Sequence, residues 1–557
     1  MICKHATPRE LNIAKDLWRP EQYEAVTWMQ ETKLAPDGQP YVKIAEMPTG
    51  SGKSVCAMAL NDGTSDKQQV IALTHTRSLQ HQYAGDFKDC RIQYGKSNYP
   101  CDHPKHPLPH ATAEECLYRD DLHGCTLFNA GMCAYYASRK LSVAAPRVAL
   151  NYAYWLTSQH IYQPRWLVLD EAHSLSDLVL EHIGATITAR DGIKWQLPVM
   201  PHIEPPELAM FTGAAKAQDA VMHWLSLASA MMEQHAKHAA HGLKHASPKR
   251  AQELAQRLQQ AGALHRKLAA IATALLVNAG EHWFIRSDDA GLTIRPLTAR
   301  YDFKRFFLNQ RAADGSPTRP ILMSATIGKF EIFAQELGIE HWEGRMVANQ
   351  WPVKSRPVYV LDAPGMGRRN TMKDELAFDK QADVIAKAIL EQPHDWCGFI
   401  LVSRKSETLE LAKRLAKRGL AERVFPIVGE NLSYMPTDQQ LQMWEKRKQV
   451  VPNAIGISAS FWEGIDGKRE KILIAAKVPY GFLGDPYERA RMHYDMATFH
   501  WRAASTMEQG LGRTRRGNPE DYDTAEQQHG FVAIADGDFA RIKSYLSKNI
   551  LEAIREL

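Results

Sequence analysis

The stretch Ala45-Glu46-Met47-Pro48-Thr49-Gly50-Ser51-Gly52-Lys53-Ser54 limits what this chain can fold into more than any other. It follows a short apolar strand pattern over 41–45 and runs into the apolar, Ala-rich stretch 55–60, which reads as a helix. A glycine-rich turn between strand and helix lets backbone N–H groups point at an anion. A Lys at its end adds a point charge, and the following hydroxyl can hold Mg²⁺. Thr49, Gly50, Ser51, Gly52, Lys53 and Ser54 therefore make a candidate phosphate cradle, with Ser54 as a magnesium ligand. Met47 fills the slot where the general pattern carries its first Gly.

A second constellation answers the first. The buried-looking strand 165–169 ends in Asp170-Glu171-Ala172-His173. Two carboxylates at the C-terminal edge of a parallel sheet, beside a phosphate cradle, suit a metal and an attacking water. Asp170 is expected to serve Mg²⁺, Glu171 to polarise the water, and His173 to couple the site to its surroundings. The strand 320–323 ends in Ser324-Ala325-Thr326, whose two hydroxyls can bond the Asp-Glu-Ala-His segment or simply cap the next turn. Far downstream, Arg513 and Arg516 stand three apart beside Gln509 and so share a helix face. Two guanidiniums on one face can reach a γ-phosphate across a cleft.

Other residues take their meaning from position. Arg19 and Gln22 precede the cradle by about thirty residues, where a Gln amide can read an adenine edge. Thr76 and Arg77 end the strand 69–73, and Ser403 and Arg404 end the strand 398–402; both pairs suit a nucleic-acid phosphate. For Thr76, ordinary helix capping is an equal reading.

The bulk numbers fix the class. A chain of 557 residues has room for about three to four domains. With 45% apolar and 24% charged residues it is an ordinary globular sequence, and a net charge of +5 permits a nucleic-acid partner without demanding one. No apolar run is long enough to span a bilayer, and the N-terminus lacks an apolar signal core, so a cytoplasmic address is expected. Five of eight cysteines fall between Cys90 and Cys133. Clustering of that kind in a reducing compartment points to metal before disulfide. Cys101, Cys116, Cys125 and Cys133 sit in a segment with little periodicity and could hold a [4Fe–4S] cluster. Zinc is the rival, with His103, His106 and His110 nearby, and four small buried thiols is the plain alternative.

Alternating strands and helices occur twice, divided by a linker near 338–357. The expected organisation is α/β with two RecA-like parallel-sheet lobes: lobe 1 from 1–89, 136–185 and 286–340, and lobe 2 from 341–557. Lobe 1 is interrupted by a cysteine domain at 90–135 and a helical insertion at 186–285, in which apolar residues from Leu254 to Leu275 recur at spacings of three and four. His235, His238, His241 and His245 in that insertion read as a solvated face.

Taken together, these motifs resemble the DinG/XPD branch of the superfamily 2 DNA helicases along nearly the whole chain. Gln22 matches the Q motif, Thr49–Ser54 motif I, Asp170–His173 motif II, Ser324–Thr326 the Ser-Ala-Thr motif, Glu463–Asp466 motif V and Gln509–Arg516 motif VI. The resemblance implies a catalytic set of Lys53, Asp170, Glu171, Gln509, Arg513 and Arg516. It adds Glu463, Gly464 and Asp466 to the ATP-binding residues. It also implies ATP and Mg²⁺ as cofactors, an iron–sulfur domain in the cysteine segment, an arch in the helical insertion, and 5′→3′ movement on single-stranded and forked DNA, as a monomer. The Q motif begins almost at once, so no exonuclease domain of the sort some relatives carry is expected ahead of it. The competing readings are an ATP-gated DNA-binding accessory subunit, for example in a CRISPR-associated system, and a motor directed at RNA.

Overall fold

The computed structural model describes residues 18–556 except 49–50, 61–68, 119–120, 204–206, 211–214, 278–281, 348–356, 368–370, 373, 375, 434, 463–469 and 514–529. In chain order its first strands are β1 (Val42–Glu46), β2 (Val70–Thr74), β3 (Cys90–Gln93), β4 (Arg147–Asn151), β5 (Trp166–Asp170), β6 (Ala185–Thr188), β7 (Glu207–Met210), β8 (Trp283–Asp288), β9 (Gly291–Pro296), β10 (Arg319–Ser324) and β11 (Trp342–Met346). Seven of them build a wholly parallel sheet in the order β11-β1-β10-β5-β2-β4-β3. β1, β2 and β5 are buried at every position, as expected of parallel strands covered by helices on both faces.

This order decides where the motifs meet. β10 lies between β1 and β5, with Glu46 beside Ser324 and Met323 beside Asp170. The cradle, the Ser-Ala-Thr segment and the Asp-Glu pair therefore emerge side by side from one sheet edge, although some 280 residues separate the first from the second.

The second lobe repeats the plan with β12 (Val358–Val360), β13 (Gly398–Leu401), β14 (Val424–Pro426), β15 (Ile455–Ser458), β16 (Ile472–Ala475), β17 (Phe531–Ile534) and β18 (Ile554–Glu556). They form a parallel sheet ordered β14-β15-β13-β16-β17-β12-β18. Its strand ends are tied by buried Asp536, whose carboxylate accepts from the N–H groups of Val478 (2.8 Å), Met366 (2.8 Å) and Asp538 (2.9 Å).

Three parts differ from expectation. The insertion is not only helical. Its long helices, Ala215–Leu243 and Pro248–Val277, pack as a hairpin on an antiparallel sheet ordered β6-β9-β8-β7. The strand at Gly291, expected to resume lobe 1, belongs to that sheet. The cysteine segment opens with β3, an edge strand of the first parallel sheet. The linker near 338–357 contains β11, an edge strand on β1. Its sequence, Trp-Glu-Gly-Arg-Met, has no apolar alternation, because an edge strand needs its backbone paired on one side only. Leu258, Ala261, Leu268, Ile271 and Leu275 are buried as the spacing predicts. His238, His241 and His245 are exposed, whereas His235, expected on the same solvated face, is half-buried with its Nε2 3.1 Å from the Trp195 carbonyl.

The lobes dock through the helices Pro486–Tyr494 and Met496–Leu511. Trp501 is buried against Phe333, and its indole N–H donates to the Ile327 carbonyl at 2.7 Å. The Tyr487 hydroxyl donates to the Pro296 carbonyl at 2.8 Å, tying the base of the insertion to lobe 2. Arg491, itself buried, pairs with Glu336 at 3.1 Å and Asp177 at 3.0 Å. Burial pushes the Glu336 carboxyl upward, and the charge of Arg491 opposes that rise. Removing one partner of such a pair strands a buried charge, at about 3–5 kcal/mol. Arg491→Met is thus expected to weaken lobe docking and to split a single calorimetric unfolding transition into two. An unchanged single transition would show that the pair does not hold the lobes.

Candidate nucleotide-binding and metal sites

Gly52 turns the chain into the helix Lys53–Met58 with a φ of +83°. A Cβ there would lie 2.2 Å from Nε2 of Gln22, so glycine is required on both conformational and steric grounds. Lys53 and Ser54 occupy the first turn, half-buried. The Gln22 amide donates to the Ser51 carbonyl at 2.9 Å, and its Oε1 accepts from the Arg19 N–H at 3.3 Å. The residue expected to read adenine thus also braces the phosphate turn. Thr49 and Gly50 lie outside the described residues, as do Glu463, Gly464, Asp466 and Arg516.

Asp170 ends β5 deep in the protein. Burial, and then the charge of Glu171, push its carboxyl up to about 6, against the pull of Lys53. Two tyrosines that sequence reasoning did not single out hold it. Tyr83 OH donates to Oδ2 at 3.1 Å, and Tyr152 OH donates to the main-chain carbonyl at 2.7 Å. They come from 87 and 18 residues away, with no motif to mark them. Glu171 adopts the left-handed backbone region, φ +53°, which a non-glycine residue holds only where its surroundings enforce it. The turn brings its carboxylate within 3.6 Å of His173 Nδ1.

His173 is the junction of the site. Its Nδ1 lies 2.8 Å from Ser324 Oγ, and its Nε2 meets the side-chain amide of Gln509. That amide also donates to Thr326 Oγ1 at 3.2 Å. The ring accepts at Nε2, so Nδ1 carries the proton and the imidazole is neutral. Burial drives the ring's pKa down to about 4; the charge of Glu171 opposes the fall, and His75, Lys53 and Arg513 add to it through theirs. Lys53 of lobe 1 and Arg513 of lobe 2 thus both lie within electrostatic reach of this ring. Arg513 is buried, and its Nε donates to the Trp462 carbonyl at 3.1 Å.

Of the expected nucleic-acid contacts, Thr76 caps its helix by accepting from the Leu79 N–H at 3.3 Å. Arg77 is exposed over the Tyr94 ring, at 5.8 Å. Ser403 Oγ donates to the Val478 carbonyl at 3.2 Å, and Arg404 is exposed.

Cys101, Cys116, Cys125 and Cys133 converge on one recess. Burial raises the thiols of Cys101 and Cys116, and the other three thiols contribute to the rise at Cys101. Among the described residues no three His, Cys, Asp or Glu side chains are arranged to hold a single ion. Four thiols lining one recess are a donor set that suits an iron–sulfur cluster or a four-thiolate zinc alike. The histidines do not add to that set. His103 Nδ1 accepts from the Lys105 N–H at 3.2 Å, His106 Nδ1 from the Leu108 N–H at 3.2 Å, and neither lines the recess.

A family model described as "Type III restriction enzyme, res subunit" matches residues 15–190. The whole structure is similar to a solved structure titled XPD helicase, with a TM-score of 0.59 at 17% identity, covering 98% of this chain and 100% of that one. A second, titled XPD apo, gives a TM-score of 0.52 at 14% identity, covering 97% and 100%. No curated protein matches the sequence.

One pair of acids was not foreseen. Glu46, just before the cradle, accepts from the N–H groups of Ile327 (3.1 Å) and Gly328 (2.8 Å). Glu508 of lobe 2 accepts from the Ser547 N–H. Burial pushes Glu46 up to about 7, and burial and then the charge of Glu46 push Glu508 well above the carboxylate range. The folded chain thus keeps a proton that the unfolded chain releases near 4.5, so stability falls as pH rises from 4.5 to about 7. Glu508→Gln keeps the hydrogen bond and removes the repulsion. It is expected to melt higher than the wild type at about pH 8 and to show a flatter decline on the way there. A melting curve that tracks the wild type at every pH would refute this.

Proposed function

The chain has the fold of the XPD helicases, and on that premise we propose that it is an ATP-driven motor that moves 5′→3′ on single-stranded DNA and unwinds duplexes. The observation that carries the reading is the bridge at His173, where groups from both lobes meet beside the cradle lysine and a buried arginine.

Lys53 and Ser54 would hold the phosphates of ATP, and Ser54 with Asp170 would hold its Mg²⁺. The cation favours the ionised carboxylate that burial alone disfavours. Glu171 polarises the attacking water, and Arg513 with Arg516 stabilises charge on the transferred phosphoryl group. Gln509, His173, Ser324 and Thr326 form one hydrogen-bonded chain, so a change at the γ-phosphate is felt in both lobes. Gln22 and Arg19 brace the cradle beneath the base, and Glu463, Gly464 and Asp466 complete the nucleotide site from lobe 2. The strand crosses both lobes, its phosphates held by groups such as Arg77, Ser403 and Arg404, with the Thr76 hydroxyl free to donate while it caps.

Cys101, Cys116, Cys125 and Cys133 are the residues that would hold a [4Fe–4S] cluster. When bound, the cluster supplies the cross-linking that a segment with so little packing lacks. Contacts between this segment and the long helices support their acting together on a strand: Arg266 pairs with Glu114 at 3.3 Å, and Lys244 lies 5.6 Å from the Tyr118 ring.

Lys53→Ala and Glu171→Gln are expected to lose DNA-stimulated hydrolysis by about a thousandfold while still binding single strands. Stimulated turnover surviving in either purified variant would count against the motor. Forked substrates with 5′ or 3′ tails, in DNA and in RNA, test polarity and substrate together. Protein purified without oxygen is expected to be coloured, with broad visible absorbance that Cys116→Ser removes. A colourless protein that unwinds would leave the thiols without a cluster role.

A further inference from the structure

The second lobe presents an aromatic side chain that the reading above does not use. Phe482 is 59% exposed, the most open aromatic residue among those described. It sits in the loop after β16, and β16 pairs directly with β13, whose end carries Ser403 and Arg404. Both loops therefore leave the same edge of the sheet, the edge at which open α/β sheets bind their ligands.

The ring is held rather than dangling. The Phe482 carbonyl accepts from the Asp485 N–H at 2.8 Å, and Asp485 caps the helix that follows by accepting from the Tyr487 N–H at 2.9 Å. The ring lies across Gly484 so closely that a Cβ there would fall 2.1 Å from its Cζ. The Arg404 guanidinium stands 5.1 Å from the ring centroid. Glu407 fixes the two loops to each other: it accepts from the N–H groups of Ser403 (3.2 Å) and Arg404 (3.0 Å) and pairs with Lys477. An apolar ring is thus kept in water by a braced loop, beside an exposed cation, where a polynucleotide backbone is expected to run.

We propose that Phe482, with Arg404 against it, is a stacking platform for one base of the single strand, so that lobe 2 grips the polymer by a base face as well as by phosphates. An exposed ring gains the burial it lacks when a base covers it, and a flat π-face accepts any base. The adjacent guanidinium answers the phosphate of the same nucleotide. This rests on the single-strand reading above and adds to it a residue and a mode of contact.

Binding of labelled oligodeoxythymidylate by the full-length chain, against the same strand carrying abasic sites, tests it. The wild type is expected to bind the intact strand about tenfold more tightly than the abasic one. Phe482→Ala should bind the intact strand about tenfold more weakly than the wild type and no longer distinguish the two strands, and Phe482→Trp should restore the difference. A loss of fold would not be rescued by Trp, and melting curves check it independently. If the wild type binds the strand and Phe482→Ala binds it equally well, the platform is overturned and the motor reading stands. If the wild type binds no single strand, both fall together.

Discussion

The joint behaviour of the two lobes depends on one buried imidazole remaining neutral. His173 can accept from Gln509 only while Nε2 is unprotonated, and it can donate to Ser324 only from Nδ1. Burial provides most of that neutrality, and the charges of Lys53 and Arg513 reinforce it. The two cations suited to grip a triphosphate thus add to the effect of burial, against the opposing charge of Glu171. An anion placed between them would offset their effect at His173, and its departure would restore it. In the proposed motor, nucleotide state is therefore written into the relay by electrostatics as well as by contact.

Parallel pairing is what brings this junction about. Strands that enter a sheet in one direction deliver their following loops to one edge, and the insertion of β10 between β1 and β5 sets the Ser-Ala-Thr segment between cradle and carboxylates. The same rule, applied in the second lobe, sets Ser403 next to the loop after β16. Neither arrangement needs the large insertion, whose antiparallel sheet and long helices form their own layer and touch lobe 2 through Tyr487.

The parts of this design that chain neighbours write into one short stretch were legible before any coordinates. The cradle, the Asp-Glu pair on β5 and the heptad-like face of the helix Pro248–Val277 each carry their chemistry or their period locally. What escaped notice is non-local or weakly patterned. Tyr83 and Tyr152 matter because sheet packing brings them to Asp170, and no spacing in the sequence announces it. Glu46 and Glu508 look like surface acids in sequence, yet both are buried in the fold and the charge of one is felt by the other across the lobes. β11 and β6 are too short, at five and four residues, for a period to stand out in the sequence. The number of thiols suggested a centre, and what the spacing could not show is that all four line one recess while His103 and His106 bond within their own turns.

The contacts between lobes fall into two kinds, and the difference bears on how they can move. Around the nucleotide site they are polar and exchangeable: Gln509 can leave His173 and Thr326 and meet water or phosphate at small net cost. Around Trp501 and Arg491 they are buried. Separating Arg491 from Glu336 would leave a carboxylate in the interior without its cation, and pulling Trp501 away would expose a large apolar surface together with an unpaired carbonyl at Ile327. A motion that opens the cleft between Lys53 and Arg513 is therefore cheaper as a rotation about the Trp501–Arg491 region than as a separation of the lobes. That places the pivot on the helices Pro486–Tyr494 and Met496–Leu511, the second of which carries Gln509 near its end. A small turn at Trp501 is then delivered two helical turns further on, at the residue that reads His173.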